Sequence, residues 1–171
     1  MAAGVYFHCG TANSFTNNIV AGAGRGGEMQ RRLLPGMCNK GGNPTWPDII
    51  HGFAFERNIV LVTEPDGAST HSVFGHDDDR NTSFAKNVYF ATDPTNLAAL
   101  RSAKVWPAER SWAAWQAQGQ DTQSVIADPK FRDWRSGDFR LEPDSPAIGL
   151  GFRPLAPATA GCTAGANPWC S

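Results

Sequence analysis

Three carboxylates in the 171-residue sequence are candidates for acid–base or nucleophilic chemistry: Glu56, Asp77 and Asp78. Glu56 precedes Arg57, and a neighbouring guanidinium favours the ionised carboxylate that a general base or a nucleophile requires. Asp77 and Asp78 belong to an acidic run, in which crowding of like charges raises the pKa of one member. The structural alternatives are a solvent-facing Glu–Arg pair and a solvated turn. The predicted catalytic residues are therefore Glu56, Asp77 and Asp78.

Four side chains are predicted to contact a substrate. His8 and His76 each end a short apolar segment, and they would face one surface if both segments were strands of one sheet. Such a pair could form a sugar-binding or general-acid edge, although histidines at strand ends also occur with no ligand. Trp46 could stack on a sugar ring or cover the core. Arg57 completes the predicted substrate-binding set.

The acidic run also has the beginning of a calcium-loop pattern. Asp77, Asp79 and Asn81 have the spacing of the first three ligands of a twelve-residue calcium loop. Thr82 stands where that loop requires glycine, and Val88 stands where it requires a bidentate glutamate. The run therefore does not fit that loop. No metal site and no cofactor are predicted, and a looser calcium site is the alternative.

Composition excludes several classes of partner. The 15 basic and 16 acidic residues nearly balance and are scattered, so the sequence predicts no nucleic-acid partner. No apolar run approaches the ~20 residues that a membrane-spanning helix needs, so no membrane partner is predicted. Eighteen glycines and 12 prolines favour a β-rich chain with many loops.

The pattern F-x-x-N-[IV] occurs three times and predicts the elements that position these side chains. The copies are Phe15–Val20, Phe55–Val60 and Phe84–Tyr89. Aromatic and β-branched residues favour strands, whereas Asn favours a bend because it tolerates left-handed backbone. Each copy therefore predicts a strand, a bend and a strand, with the Asn side chains of successive units stacked as an amide ladder. The alternative is a set of hairpin or sandwich strands.

The last third of the chain changes character. Ser111 is a predicted N-cap and Gly119 a predicted C′ residue of a short helix near residues 111–118. Short extended segments follow as far as residue 152. Residues 153–171 are predicted to form an irregular Gly/Ala/Pro-rich tail, separate from a body of residues 1–152.

The four cysteines permit two disulfides in any of three pairings. Pairing Cys162 with Cys170 and Cys9 with Cys38 would staple two loop-rich regions, which favours an oxidising, secreted setting.

The first residues lack a signal peptide and are typical of a strand already in progress, so we expect the chain to be a fragment. The exposed strand at residues 4–7 predicts self-association.

Three C-terminal segments carry a resemblance to a known group: Gln120–Phe131, Gly137–Leu141 and Asp144–Gly151. They resemble the last coils of secreted right-handed parallel β-helix proteins with the pectin lyase-like fold, a group that includes β-helical glycoside hydrolases. The F-x-x-N copies look like the preceding coils, so the resemblance spans roughly residues 4 to 152.

The resemblance implies an all-β, right-handed parallel β-helix of about three to five coils. It also implies a secreted polysaccharide-degrading glycoside hydrolase whose partner is a polysaccharide or glycan. Carboxylates on adjacent coils would lie near ~5 Å, and those two coils apart near ~9–10 Å, which are spacings suited to glycosidases. Because the resemblance covers only the family's last coils, the alternative is a non-catalytic β-helix module that binds carbohydrate, acts as an adhesin or serves a structural role.

Overall fold

The computed structural model describes residues 10–21, 50–63, 82–107 and 109–154. The four cysteines and the expected strand at residues 4–7 lie outside these ranges. In chain order the strands are β1 (Gly10–Thr11), β2 (Ser14–Thr16), β3 (Ile19–Ala21), β4 (Ile50–His51), β5 (Phe53–Glu56), β6 (Ile59–Val62), β7 (Thr82–Ala85), β8 (Val88–Ala91), β9 (Val125–Ile126), β10 (Phe131–Asp133) and β11 (Asp138–Leu141).

The described helices are short: α1 (Pro94–Ser102), α2 (Trp112–Gln116), α3 (Pro146–Gly149) and a single 3₁₀ turn (Trp134–Ser136). None of them combines the length and apolar character needed to cross a membrane. The helix predicted near residues 111–118 is confirmed as α2, in which Ser111 Oγ accepts from the Ala114 N–H at 3.3 Å. Gly119 follows it with a left-handed φ of 85°. Asp93 caps α1, and its side chain accepts from the Asn96 N–H at 3.0 Å.

Parallel strands dominate the fold, in three sheets ordered β1-β4, β2-β5-β7 and β3-β6-β8-β9. Each F-x-x-N copy gives its first strand to the second of these sheets and its last strand to the third. Phe15, Phe55 and Phe84 share one register position. The parallel pairing confirms stacked units and excludes the hairpin or sandwich alternative for these strands. The exception is β10–β11, an antiparallel pair with a register shift.

The bend of each unit differs from expectation in one respect. In the three bends the residues with left-handed backbone are Asn17 (φ 61°), Arg57 (φ 52°) and Lys86 (φ 58°), each directly before the Asn of the F-x-x-N pattern. The prediction that the Asn itself supplies the left-handed conformation is therefore wrong. Its amide side chain is needed instead for hydrogen bonds between units, as described below.

The interior between the sheets is filled by aromatic rings. Phe15 stacks on Phe55 with centroids 5.6 Å apart, and Phe55 lies 5.7 Å from Phe84. Trp115 of α2 meets Phe84 edge-on at 5.1 Å and so closes this column. Full burial of such a side chain stabilises the fold by roughly 1.5–3 kcal/mol, and both Phe55 and Phe84 are buried.

A second apolar cluster lies on the opposite side of the third sheet. Ile59 and Val88 pack there against Leu141, Ala147 and Phe152 from the end of the chain. All four residues of β6 are consequently buried. The C-terminal segment thus covers the outward side of this sheet.

Candidate functional site

An amide ladder holds the bends of successive units in line. The backbone N–H of Asn18 donates to Asn58 Oδ1 at 2.9 Å, and that of Asn58 donates to Asn87 Oδ1 at 2.9 Å. The N–H of Asn87 donates to Ser124 Oγ at 2.8 Å. The predicted stacking of the amides is confirmed, with two additions: backbone N–H groups make the short bonds, and Ser124 acts as a fourth member.

The ladder ends in a buried carboxylate that the sequence did not reveal. Asp121 accepts from Asn87 Nδ2 (2.9 Å), Ser124 Oγ (2.5 Å), Tyr89 OH (2.9 Å) and Trp115 Nε1 (2.8 Å). Burial raises the pKa of this carboxyl, while the four hydrogen bonds oppose that rise. The pKa of Tyr89 is raised well above its usual value by burial and by the adjacent Asp121.

This cluster joins several elements and is buried: Asp121, Asn87, Tyr89 and Trp115 are 0% exposed and Ser124 is 6% exposed. The sequence does contain a weak fourth copy of the repeat near Asp121. Because β9 pairs with β8, Ser124 aligns with Asn87, and Val125 and Ile126 align with Val88 and Tyr89. A serine in the asparagine position concealed the copy. Asp121 therefore serves the structure of the stack, and a functional surface must be sought outside it.

Among the described residues, the outer face of the sheet β2-β5-β7 is an accessible surface. Because the phenylalanines point inward, their neighbours on each strand point outward. Six residues make up this outer face, in two registered rows: Ser14, Ala54 and Ser83, then Thr16, Glu56 and Ala85. All are half-buried or exposed, and all except Glu56 are small. The face is therefore flat, with one charged group at its edge.

Glu56 and Arg57 form an ion pair at that edge. Glu56 Oε2 lies 3.3 Å from Arg57 Nη1, and the side chains are 31% and 34% exposed, respectively. The N–H of Arg57 donates to Ala85 O at 3.0 Å, and the Glu56 carbonyl accepts from the Asn17 N–H at 3.2 Å. The backbone under the pair is thus fixed by the units on both sides. Such an exposed pair contributes only about 0–1 kcal/mol to stability, so its placement is not explained by folding alone.

Adjacent strands place no second carboxylate beside Glu56. Its register partners are Thr16 on β2 and Ala85 on β7. The spacing of about 5 Å between acids on neighbouring units is therefore not formed in this row. Asp77 and Asp78, the other predicted catalytic residues, lie outside the described residues.

The predicted binding residues are only partly placed. Arg57 is on the outer edge, whereas His8, Trp46 and His76 lie outside the described residues. Trp106 is fully buried and donates from Nε1 to Leu100 O at 2.8 Å, so its ring is not available to stack on a sugar. In the described parts of the chain, His, Cys, Asp and Glu side chains do not assemble into a metal-binding group of three or more.

Comparison with known proteins assigns no family to the chain. No family model matches the sequence, and neither the curated proteins nor the solved structures give a match. What the structure supports is a fold dominated by parallel sheets with stacked aromatic residues. Among the described residues, the outer face and its Glu56–Arg57 edge form the candidate functional surface.

Proposed function

We propose that the chain is part of a right-handed parallel β-helix from a secreted carbohydrate-active protein, and that its outer face binds polysaccharide. The support for the fold is the stacking of equivalent units in parallel register, together with the resemblance of the C-terminal segments to β-helix coils. The four cysteines favour the secreted setting.

The observation that carries the binding proposal is the flat outer face bordered by Glu56 and Arg57. Small side chains leave room for an extended polymer to lie across the strands. A carboxylate supplies two acceptor oxygens and a guanidinium supplies five N–H donors, so the pair matches the hydroxyl groups of a sugar. Its backbone is held by hydrogen bonds to both neighbouring units, which pre-organises the edge for a ligand.

Binding is tested by affinity electrophoresis of the full chain in gels that contain a panel of neutral and acidic polysaccharides. Glu56→Gln and Arg57→Asn should each raise the apparent dissociation constant, measured from the retardation, about tenfold or more. Each substitution removes charge-assisted hydrogen bonds. Asn is chosen at position 57 because it tolerates the left-handed backbone found there.

Glu142→Gln is the matched control. Glu142 Oε1 lies 3.6 Å from Arg132 Nε on an exposed part of the C-terminal segment, so this pair resembles the Glu56 pair in chemistry but not in position. Its loss should leave retardation unchanged. Retardation that is absent for every polysaccharide, or equal in Glu56→Gln and wild type, would refute the binding proposal.

Glycosidic hydrolysis is the second candidate, and the Glu56–Arg57 contact favours it. A carboxylate beside a guanidinium is suited to the role of base or nucleophile. The partner acid would be Asp77 or Asp78, because the registered neighbours of Glu56 are not acidic. Removing one of two glycosidase carboxylates lowers the rate by roughly 10²–10⁴.

Hydrolysis is tested by reducing-sugar release from the polysaccharides that the chain binds. Glu56→Gln and Asp78→Asn should each abolish most of the release while Glu142→Gln retains it. Binding without measurable release in wild type would leave polysaccharide recognition as the function and reject hydrolysis by this chain.

A further inference from the structure

Arg57 contacts the C-terminal segment as well as Glu56. Its guanidinium pairs with Glu56, with Nη1 and Oε2 3.3 Å apart. Its aliphatic stem lies against Gly151, where an added Cβ would be 3.6 Å from Arg57 Cδ. That distance is ordinary van der Waals contact, so the stem borders the space that a side chain at position 151 would enter. The proposed binding edge is therefore shared between the stacked units and the C-terminal segment.

Gly151 is held in place by the end of α3. Its N–H donates to Ile148 O at 3.0 Å, and the Phe152 N–H donates to Ala147 O at 2.9 Å. These two bonds form the Schellman motif, which requires a left-handed residue directly after the helix, and Gly151 has a φ of 89°. Phe152 is buried in the apolar cluster that contains Ile59. The backbone beside Arg57 is thus anchored to the stack through this cluster.

Asn17 holds the segment on the other side of Gly151. The Arg153 N–H donates to Asn17 Oδ1 at 2.6 Å, and Asn17 Nδ2 donates to Arg153 O at 2.9 Å. Strand pairing on both sides of the bend places Asn17 at the register position that Arg57 occupies in the neighbouring unit. Residues 151–153 therefore follow the bends of these two units, and Gly151 is fixed from both directions.

A left-handed backbone explains a glycine at position 151 but does not explain its contact with Arg57. Gly137 has a similar backbone, with a φ of 81°, and a Cβ added there would meet nothing within 4 Å. Both glycines are exposed. The need for a left-handed residue is common to the two positions, whereas contact with a charged side chain distinguishes Gly151.

We infer that Gly151 is a positioning residue of the binding edge: its anchored backbone confines the Arg57 stem and so sets the direction of the guanidinium toward a polysaccharide. The inference rests on the proposed function, in which Arg57 donates to sugar hydroxyl groups. A long arginine side chain loses rotamer freedom when a ligand fixes it. Contact with Glu56 at the guanidinium and with Gly151 at the stem removes part of that cost before a ligand binds.

The binding test compares Gly151→Asn with Gly137→Asn in the full chain, by affinity electrophoresis with a polysaccharide that wild type binds. Asn tolerates left-handed backbone at both positions, but at position 151 its side chain would displace the Arg57 stem. Gly151→Asn should raise the apparent dissociation constant about tenfold, as expected for the loss of one charge-assisted hydrogen bond, and Gly137→Asn should leave it unchanged. Equal dissociation constants for Gly151→Asn and wild type would overturn the inference.

A double-mutant cycle separates positioning from a general effect on folding. In an Arg57→Asn background, Gly151→Asn should raise the dissociation constant by less than about twofold, because the side chain that Gly151 positions is then absent. A further tenfold loss in that background would show that Gly151 acts without Arg57, and would overturn the inference.

The Arg57 side chain also gives a readout without a ligand. In ¹⁵N-labelled protein its Nε–Hε resonance is the one that Arg57→Asn removes. Gly151→Asn should shift this resonance and lower its heteronuclear NOE, whereas Gly137→Asn should leave both unchanged. Asn17→Gly keeps the left-handed backbone but removes both bonds to Arg153, so it should lower the NOE as well.

The resonance separates failure of the inference from failure of the proposed function. An Arg57 resonance that Gly151→Asn leaves unchanged would overturn the inference, even in a chain that binds polysaccharide. Retardation that is absent for every polysaccharide would refute the proposed function, while the resonance would still show whether Gly151 positions Arg57.

Discussion

Two carboxylates of this protein, Asp121 and Glu56, occupy opposite environments. Asp121 is buried and receives hydrogen bonds from four side chains, those of Asn87, Tyr89, Trp115 and Ser124. Glu56 is about one-third exposed, and its carboxylate pairs with the Arg57 guanidinium. A buried, fully bonded charge is costly to disturb, whereas an exposed pair contributes little to stability. The difference separates a carboxylate that maintains the stack from one that is available to a ligand.

The largest effect is expected from Asp121→Leu. This substitution removes the common acceptor of the cluster and leaves Trp115 Nε1 buried beside an apolar side chain. The free energy of unfolding should fall by about 3–5 kcal/mol, a large share of a typical domain's stability. Urea unfolding followed by tryptophan fluorescence measures it, with the exposed Glu142→Leu as control. A loss below about 1 kcal/mol would contradict the structural role.

A smaller loss is expected from Asn58→Leu. Asn58 accepts the Asn18 N–H and donates to Phe15 O, so leucine breaks the ladder between two units. We expect a loss of about 2–3 kcal/mol, because each buried polar group left unbonded costs about 1–3 kcal/mol. Asn18→Leu, at the half-buried member of the ladder, should cost less than about 1 kcal/mol. Equal losses in the two variants would show that the ladder does not stabilise the stack as a chain of bonds.

The pH dependence of stability should distinguish Asp121 from the exposed acids. Its pKa is raised above 3.8 in the folded state, so folding binds its proton more tightly. The contribution of Asp121 to the free energy of unfolding is therefore fully present below pH 3.8 and is lost as the pH rises through its folded-state pKa. The loss is at most about 1.4 kcal/mol per pH unit. Asp138, held by Arg140, has its pKa lowered to about 2 and acts in the opposite sense, between about 2 and 3.8.

Unfolding of Asp121→Asn across the same pH range tests this assignment. The decline in stability above pH 3.8 should flatten in the variant, because asparagine does not titrate. The Asp138 contribution below that pH should persist in it. An unchanged slope above pH 3.8 would assign the decline to another group.

The smallest change in stability is expected from Glu56→Gln. Its ion pair is exposed, so the free energy of unfolding should fall by less than about 1 kcal/mol. The same variant should lose most polysaccharide binding. A loss comparable to that of Asp121→Leu would place Glu56 among the structural residues and remove the basis of the proposed binding face.

The sequence was sufficient for the repeating unit because aromatic, Asn and β-branched residues recur in order at Phe15, Phe55 and Phe84. It also located α2, since Ser111 and Gly119 carry local signals that do not depend on tertiary structure. Local sequence patterns do not predict which residue of a bend adopts the left-handed backbone conformation. Steric and hydrogen-bond demands of the stack gave that role to Arg57 and its equivalents, leaving each Asn free to bond across units.

Longer-range pairings were beyond the sequence. The role of Asp121 depends on tertiary structure, because α2 and β8 bring Trp115 and Tyr89 within hydrogen-bond distance of its carboxylate. The spacing of these residues in the sequence does not predict that contact. Strand alternation after the inward Phe55 accounts for the outward position of Glu56, but its registered neighbours Thr16 and Ala85 could be identified only once the strand pairing was known. The position of a candidate residue was therefore predictable, whereas its surroundings were not.

The contact between Asn17 and Arg153 has a consequence for the order of folding. Arg153 N–H donates to Asn17 Oδ1 at 2.6 Å, and Asn17 Nδ2 donates to Arg153 O at 2.9 Å, across 136 positions of sequence. Closing this loop in the unfolded chain costs about 1 kcal/mol more in entropic free energy than closing the shorter loop between Asn18 and Asn58. The units should therefore assemble first, and this latch should close last and open first during unfolding.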